Sequence, residues 1–355
     1  MIFASLWDRP KTLVLYLPPP SRTPNRYSAV DALRTLAIVL VMVAHYIPDN
    51  FWGQNGIEGV YIFFVCSGFL IARTTANRES LYSLNVGAFY RRRFARLVPL
   101  LLLTIALATL ANYVLPLDRY LSATLYVDNP QWLIPFIPFA WVWRHWAQPA
   151  FGIKGLFWGL LWTLGCEFHF YLVFPWLMRW AGNQKRASWA LLAIIVVGVM
   201  SSLWAVTRSA ESIEWLHTNP FNAYALIAMG VLLHFALCDE GGHRWAPYCL
   251  GVGSLCLMVS IAWLNYALRW QAEIAPWLVG VSTIALLYGL LARKVRFPKW
   301  LCLPGTLCYG LYLWHPFAQY LLWSRFGLIG YLLGSFAIAC TSYGVFEKQL
   351  QNRLR

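Results

Sequence analysis

Long apolar runs, set close together, constrain this chain more than any other feature. A helix crossing the hydrocarbon layer of a bilayer needs about 20 mostly apolar residues. Ten stretches qualify: 29–48, 57–74, 97–115, 155–178, 187–206, 220–238, 246–265, 274–292, 302–323 and 327–346. They take up more than half of the 355 residues, so the connections are short. Apolar residues make up 59% and charged residues only 12%, where a soluble domain carries about 25% charged residues. Mean hydropathy is +0.54. A soluble fold cannot hide that much apolar surface, whereas a bilayer removes the need. Backbone polar groups in lipid must pair within their own segment, which makes the spans helical. The expected fold is therefore an all-α polytopic membrane protein, a bundle of about ten transmembrane helices.

Lys and Arg set the expected orientation. With residues 1–28 in the cytoplasm, 22 of the 28 basic residues fall on the cytoplasmic side and six on the other. That asymmetry is a positive-inside signal. It puts both termini in the cytoplasm, giving a cytoplasmic segment 1–28, a transmembrane domain 29–346 and a cytoplasmic tail 347–355. The location implied is the cytoplasmic membrane, with many passes. Leu13–Leu17 is too short for a cleavable signal and runs into Pro18 to Pro20, so the first span serves as an uncleaved insertion signal. The net charge of +14 reflects topology, and nucleic-acid binding is excluded because no basic soluble domain exists to do it. None of the eight cysteines forms a C-x-x-C pair. They read as small buried apolar residues, with neither disulfides nor a metal expected.

Against this background, titratable residues inside spans stand out. Each costs about 2.5–3.5 kcal/mol at the membrane centre on insertion scales, and such groups usually face the bundle interior. They are His45, Glu167, His169, His234 and His315, with Arg34 and Glu347 at span ends. Arg34 and His45 bracket a run of apolar residues in RTLAIVLVMVAHY. At eleven positions apart they sit about 20° past three full turns and about 16 Å apart along the axis, on one helix face. Either the helix holds one long molecule at two points, or Arg34 is an anchor and His45 an interfacial side chain.

The other spans leave similar alternatives. Ser67-Gly68 interrupts the second span, for helix packing or for close approach of a ligand. Glu167 has apolar neighbours and Tyr171 one turn along its face, so it is protonated or paired with a cation or a His. His169 points about 200° away from it and reads as packing, as does His234. His315 precedes Pro316, which frees a carbonyl one turn earlier. It either satisfies freed backbone or lines a pore. Arg91, Arg92, Arg93 and Arg96 precede the third span, and snorkelling anchors account for one or two of the four. Loop 116–154, rich in Trp and Pro, reads as an aromatic-belt anchor or an outer lid.

Six stretches, in order, resemble the acyltransferase-3 family of integral-membrane O-acyltransferases across about residues 27–347. YSAVDALRTLAIVLVMVAH carries the Arg and His as Arg34 and His45, and GVYIFFVCSGFLI resembles the FF-x-x-SGFL block that holds Ser67. FYRRRFARLVP contains R-x-x-R-x-x-P as Arg93, Arg96 and Pro99. LWTLGCEFHFYLVFP resembles W-S-L-x-x-E-x-x-F-Y, with Thr163 where Ser is usual. YGLYLWHPF resembles S-Y-x-x-Y-L-x-H, with Cys308 where Ser is usual, and SYGVFEK resembles the terminal Y-x-x-x-E.

The resemblance implies transfer of an acyl group, usually acetyl, from acyl-CoA (acetyl-CoA) to a hydroxyl of a surface glycan or lipid-linked sugar, with no metal. It implies that Arg34, Arg93, Arg96 and Ser67 bind the donor. His45 is the expected general base, Glu167 an orienting or counter-charge group, and His315 a second pore-lining group or acid. Some members add an extracytoplasmic esterase-like domain that this sequence lacks, so transfer is expected to finish in the membrane domain or on a separate extracytoplasmic partner. The competing readings are a proton-coupled transporter or glycolipid flippase, disfavoured by the lack of an internal repeat, and an assembly subunit whose polar residues only pack helices.

Overall fold

The computed structural model describes residues 27–46, 56–114, 156–207, 219–238, 244–263 and 269–349. The expected lid 116–154, nearly all of segment 1–28 and most of the tail 347–355 lie outside the described residues. The described chain is helical, without strands. In order it forms α1 (Ser28–Tyr46), α2 (Gly56–Ala76), α3 (Val86–Val114), α4 (Leu156–Ala181) and α5 (Gln184–Thr207). Then follow α6 (Pro220–Cys238), α7 (Ala246–Trp263), α8 (Arg269–Ala292), the short α9 (Lys299–Thr306) and α10 (Cys308–Ser342), which runs into a π-helical turn, Tyr343–Glu347.

Among the described residues six segments are long and apolar enough to cross a membrane: Ser28–Tyr46, Gly56–Ala76, Gln184–Trp204, Pro220–Cys238, Glu273–Ala292 and Arg325–Glu347. Ala246–Ala262 is a shorter apolar helix. Burial sorts them. The apolar windows of α1, α2 and α6 are 61–67% buried, whereas those of α5 and Arg325–Glu347 are 22% buried. The first three form the centre of the bundle and the last two its rim.

The centre is tight because α2 and α6 cross through glycines. A Cβ added at Gly68 would fall 1.8 Å from the Ile227 carbonyl oxygen, and one at Gly230 2.1 Å from that of Val65. Small residues let two backbones approach this closely, and in lipid the gain is packing rather than water release. Gly68 is thus occupied by a helix. α9 docks on the start of α1: the Thr35 hydroxyl donates to the Leu301 carbonyl at 2.6 Å and accepts the Gly305 N–H at 2.8 Å.

Two boundaries differ from the expected ones. α3 begins at Val86, well before 97, so its four arginines are helical and no longer part of a connecting strip. The expected spans 302–323 and 327–346 share one run of helix broken at Gly327, whose φ of 61° and ψ of −163° suit glycine alone. The two halves fold back on each other, Gly310 lying near Ala339 and Gly334 against Leu322.

α1 and the first half of α10 run in the same direction in constant register. Arg34 meets Cys308 and His45 meets Gln319, each pair 274 positions apart. Whatever faces inward from α1 along the stretch from Arg34 to His45 is therefore matched, level by level, by α10.

Candidate active site

The R-x-x-R spacing puts Arg93 and Arg96 on one face of α3, while Arg91 turns outward and Arg92 turns to Glu79. The Arg92 guanidinium lies 2.6 Å from the Glu79 carboxylate. Glu79 also accepts the Asn85 N–H at 2.8 Å, and that bond, helped by Arg92, holds its carboxyl below the usual carboxylate range against a smaller opposing effect of burial. The inward pair lines a cavity between α1, α2, α3, α4 and α10. Arg34, Ser67 and Glu167 line the same cavity, as do Thr163, Tyr171, Cys308, Tyr309 and Tyr312. Five residues singled out by sequence, from four helices, thus meet in one place.

Each is held by named neighbours. The Arg34 guanidinium donates to Cys308 Sγ at 2.8 Å and lies 3.8 Å from the Asp31 carboxylate one turn away. Arg93 donates to Thr74 Oγ1 at 3.0 Å, and its guanidinium stands over the rings of Tyr171 and Phe89 at 5.2 and 5.5 Å. The flat guanidinium stands over those faces, a contact that a lysine ammonium makes less well. Among the described residues, Ser67 Oγ and the Tyr171 hydroxyl donate to Glu167, the latter at 3.4 Å. Two hydroxyl donors satisfy the half-buried acid. Three guanidinium groups against one lining carboxylate leave the cavity positively charged, a place that favours an anionic ligand.

His45 and His315 sit apart from that wall. Their ring centroids are 5.1 Å from each other, and neither lines the cavity. His45 Nδ1 donates to the Val41 carbonyl at 2.7 Å, which turns its Nε2 into the proton-accepting nitrogen. Gln319 Nε2 donates to the His45 carbonyl at 2.7 Å and secures the end of α1. His315 Nδ1 lies 3.2 Å from the Leu311 carbonyl one turn back on its own helix, whereas the carbonyl that Pro316 frees is that of Tyr312. Its Nε2 is buried without a hydrogen-bond partner among the described residues, an arrangement that calls for a ligand or water. Tyr312 spans the gap: it lines the cavity on one side and lies 6.0 Å from the His315 ring on the other.

The remaining titratable groups are structural. His169 Nδ1 lies 2.7 Å from the Tyr224 hydroxyl on the far side of α4, and His234 packs on Phe69. The Ser342 hydroxyl donates to Glu347 in the π-helical turn. All eight cysteines are free, and the described residues contain no cluster of His, Cys, Asp and Glu able to hold a metal. Sequence reasoning missed three participants. Tyr309 and Tyr312 recur three apart ahead of His315, a one-face pattern legible from spacing alone. Asp31, one turn before Arg34, is a buried acid at a helix start. Thr163 and Cys308 were singled out only as departures from a pattern, yet both reach the cavity.

Comparison with known proteins gives a family. The model of a family described as an acyltransferase domain, acyltransferase 3, matches residues 27–346. The peptidoglycan O-acetyltransferase OatA of Listeria monocytogenes is 25% identical over 332 residues, covering 82% of this chain and 50% of that protein. BcsY of Komagataeibacter xylinus, named as a membrane-bound transacylase, is 25% identical over 353 residues, covering 91% of this chain and 83% of that protein. A Staphylococcus aureus protein named as an O-acetyltransferase is 23% identical over 323 residues, 81% of this chain and 49% of its own. This chain thus spans about half the length of the Listeria and Staphylococcus relatives. No solved structure matches it.

Proposed function

Because the chain belongs to the acyltransferase-3 family, we propose that it is a membrane O-acyltransferase that moves an acyl group, acetyl in the first instance, from acyl-CoA to a hydroxyl of a surface glycan or lipid-linked sugar. The observation that carries the reading is the convergence of Arg34, Arg93 and Arg96 on one cavity, whose Tyr312 wall lies beside the His315 ring. Guanidinium forks suit the phosphate oxygens of the coenzyme. The thioester arm extends from the Arg34 level toward the His45 level, a distance of about 16 Å along α1. Glu167, held by the Ser67 and Tyr171 hydroxyls, is the counter-charge or orienting group beside the three cations.

His45 is the general base. Its Nε2 takes the proton of the acceptor hydroxyl, the oxygen attacks the thioester carbonyl carbon, and the C–S bond breaks. The coenzyme leaves as thiolate and recovers the proton from the imidazolium. His315, beside His45, shares that proton or passes it on. A positioned base of this kind contributes about 10²–10⁴ in rate. The excess of basic residues on one side puts both termini and the arginine mouth in the cytoplasm, within the cytoplasmic membrane. The glycan acceptor is suggested by the Listeria relative, which is named a peptidoglycan O-acetyltransferase. A separate extracytoplasmic transferase is the partner that completes delivery if the membrane domain stops short of the final glycan.

The test is purified protein in lipid with radiolabelled acetyl-CoA and glycan acceptors, wild type beside His45→Ala. Label transfer that falls about 10²–10⁴-fold in the variant, at equal protein, is the expected result. Transfer at the wild-type rate in His45→Ala removes the base assignment. Uptake of glycan without transfer of label replaces the enzyme with a transporter.

A further inference from the structure

The structure leaves one catalytic need unassigned: a donor for the negative charge that builds on the thioester oxygen when its carbonyl carbon turns tetrahedral. Such donors are often the largest single contribution to acyl transfer. The candidate has to reach the cavity, stand between the donor-binding arginines and the histidines, and be fixed before the reaction begins.

On α10 the inward face carries Cys308 at the Arg34 level, Tyr312 one turn on and His315 nearly a further turn on, at the level of His45. A thioester entering from the arginines and attacked by a hydroxyl activated at His45 therefore has its carbonyl at the Tyr312 level. There the Tyr312 hydroxyl, on the cavity wall, lies 2.7 Å from Thr163 Oγ1 on α4. The bond ties together two helices across the cavity and fixes the phenol ring, which is 7% exposed. Both hydroxyls can donate and accept, and their hydrogens rotate to suit a new partner.

We propose that the Tyr312–Thr163 hydroxyl pair is the oxyanion-binding group of this site. The inference rests on the acyl-CoA reading above. As the acceptor oxygen bonds to the carbonyl carbon, the C=O electron pair moves onto oxygen and the acceptor proton moves to His45. The Tyr312 hydroxyl then donates to the new oxyanion while Thr163 Oγ1 holds the phenol oxygen in place. When the oxyanion reforms C=O, the C–S bond breaks and the coenzyme thiolate takes back the proton. Tyr312 ends as it began, with no covalent bond made to it. Tyr312 is a catalytic residue in this scheme and Thr163 a positioning residue. A hydroxyl, whether of Thr or of Ser, is what position 163 requires.

The experiment uses the full chain in lipid with acetyl-CoA as donor, and a trifluoromethyl ketone analogue of acetyl-CoA, whose hydrate mimics the tetrahedral oxyanion. Tyr312→Phe keeps the ring and removes only the hydroxyl. It should lower kcat about 10²–10³-fold with KM for acetyl-CoA unchanged, and weaken the analogue by the same factor, since an interaction made only in the transition state acts on both alike. Thr163→Val should cause a smaller loss of the same kind and Thr163→Ser none. Wild-type kcat in Tyr312→Phe overturns the proposal, as does a loss confined to KM, or a fall in kcat with analogue affinity retained. A wild-type protein that neither binds acetyl-CoA nor transfers its label fails the acyl-CoA reading itself, a result separable from any effect of the variants.

Discussion

Gly68→Ala should damage this protein through helix packing, and the size of the effect follows from the crossing of α2 and α6. The added Cβ would lie 1.8 Å from the Ile227 carbonyl oxygen and 2.7 Å from its carbonyl carbon. Ordinary contact needs about 3.5 Å, so one helix must retreat by about 1.5 Å. Both neighbours are backbone atoms, which have no rotamer to escape into, and Gly230 closes the same crossing from the other side. Inserting a methyl into a packed interior costs about 1–3 kcal/mol, while the better helix propensity of Ala returns about 1 kcal/mol. The net loss is up to about 2 kcal/mol, with a further loss of activity because Ser67, next in the chain, is displaced from Glu167. Gly251 supplies the control, having nothing within 4 Å of an added Cβ. Gly251→Ala should keep or raise stability by the propensity difference alone. The assay is thermal unfolding of the two purified variants, followed by size-exclusion fluorescence in the same detergent. A Gly68→Ala midpoint equal to wild type, with Gly251→Ala behaving alike, would refute the backbone-to-backbone crossing.

Two more predictions rest on the arginines. Arg93→Lys keeps the charge but gives up the fork and the stacking on Tyr171, so the KM for acyl-CoA should rise about 10-fold or more with the acceptor KM unchanged, as steady-state kinetics in both substrates will measure; a rise in the acceptor KM instead counts against the phosphate role. Glu79 has its folded pKa lowered by the Asn85 N–H and Arg92, so its contribution to stability is present above the unfolded carboxylate pKa and lost as pH falls through the folded value. Glu79→Gln should therefore flatten the acid limb of a pH–stability curve by up to about 1 kcal/mol, the scale of an exposed pair, and leave neutral-pH activity unchanged.

Much of the candidate site is legible in the sequence, because lipid makes each interior charge conspicuous. Arg34, Ser67, Arg93, Arg96 and Glu167 stood out against apolar runs or by fixed spacing, and all five line the cavity. Element type was legible for the same reason, since only helices satisfy their backbone inside hydrocarbon. Helix boundaries were less so. The apolar run from 97 marks where α3 becomes greasy, whereas the helix itself starts at Val86, because arginine is a good helix former and its long stem lies along apolar surface. The break at Gly327 is set by one backbone conformation that composition does not reveal.

The division between the cavity and the histidine pair needed three dimensions. Helical spacing puts Arg34 and His45 on one face of α1, and both side chains meet α10, Arg34 at Cys308 and His45 at His315. Spacing says nothing about what stands between those levels. From Leu36 to Ala44 the residues of α1 are apolar, and the polar group that fills the gap comes from α10, with its partner Thr163 149 positions away on α4. Polar hydroxyls raise no alarm in a hydropathy profile, because Tyr and Thr are cheap in membranes and common in helix packing. A charge inside a span can be found by its cost, but a hydroxyl that costs little has to be found by its position. Here the position is one turn from each of the two features the sequence makes visible, the Arg34 mouth and the His45–His315 pair.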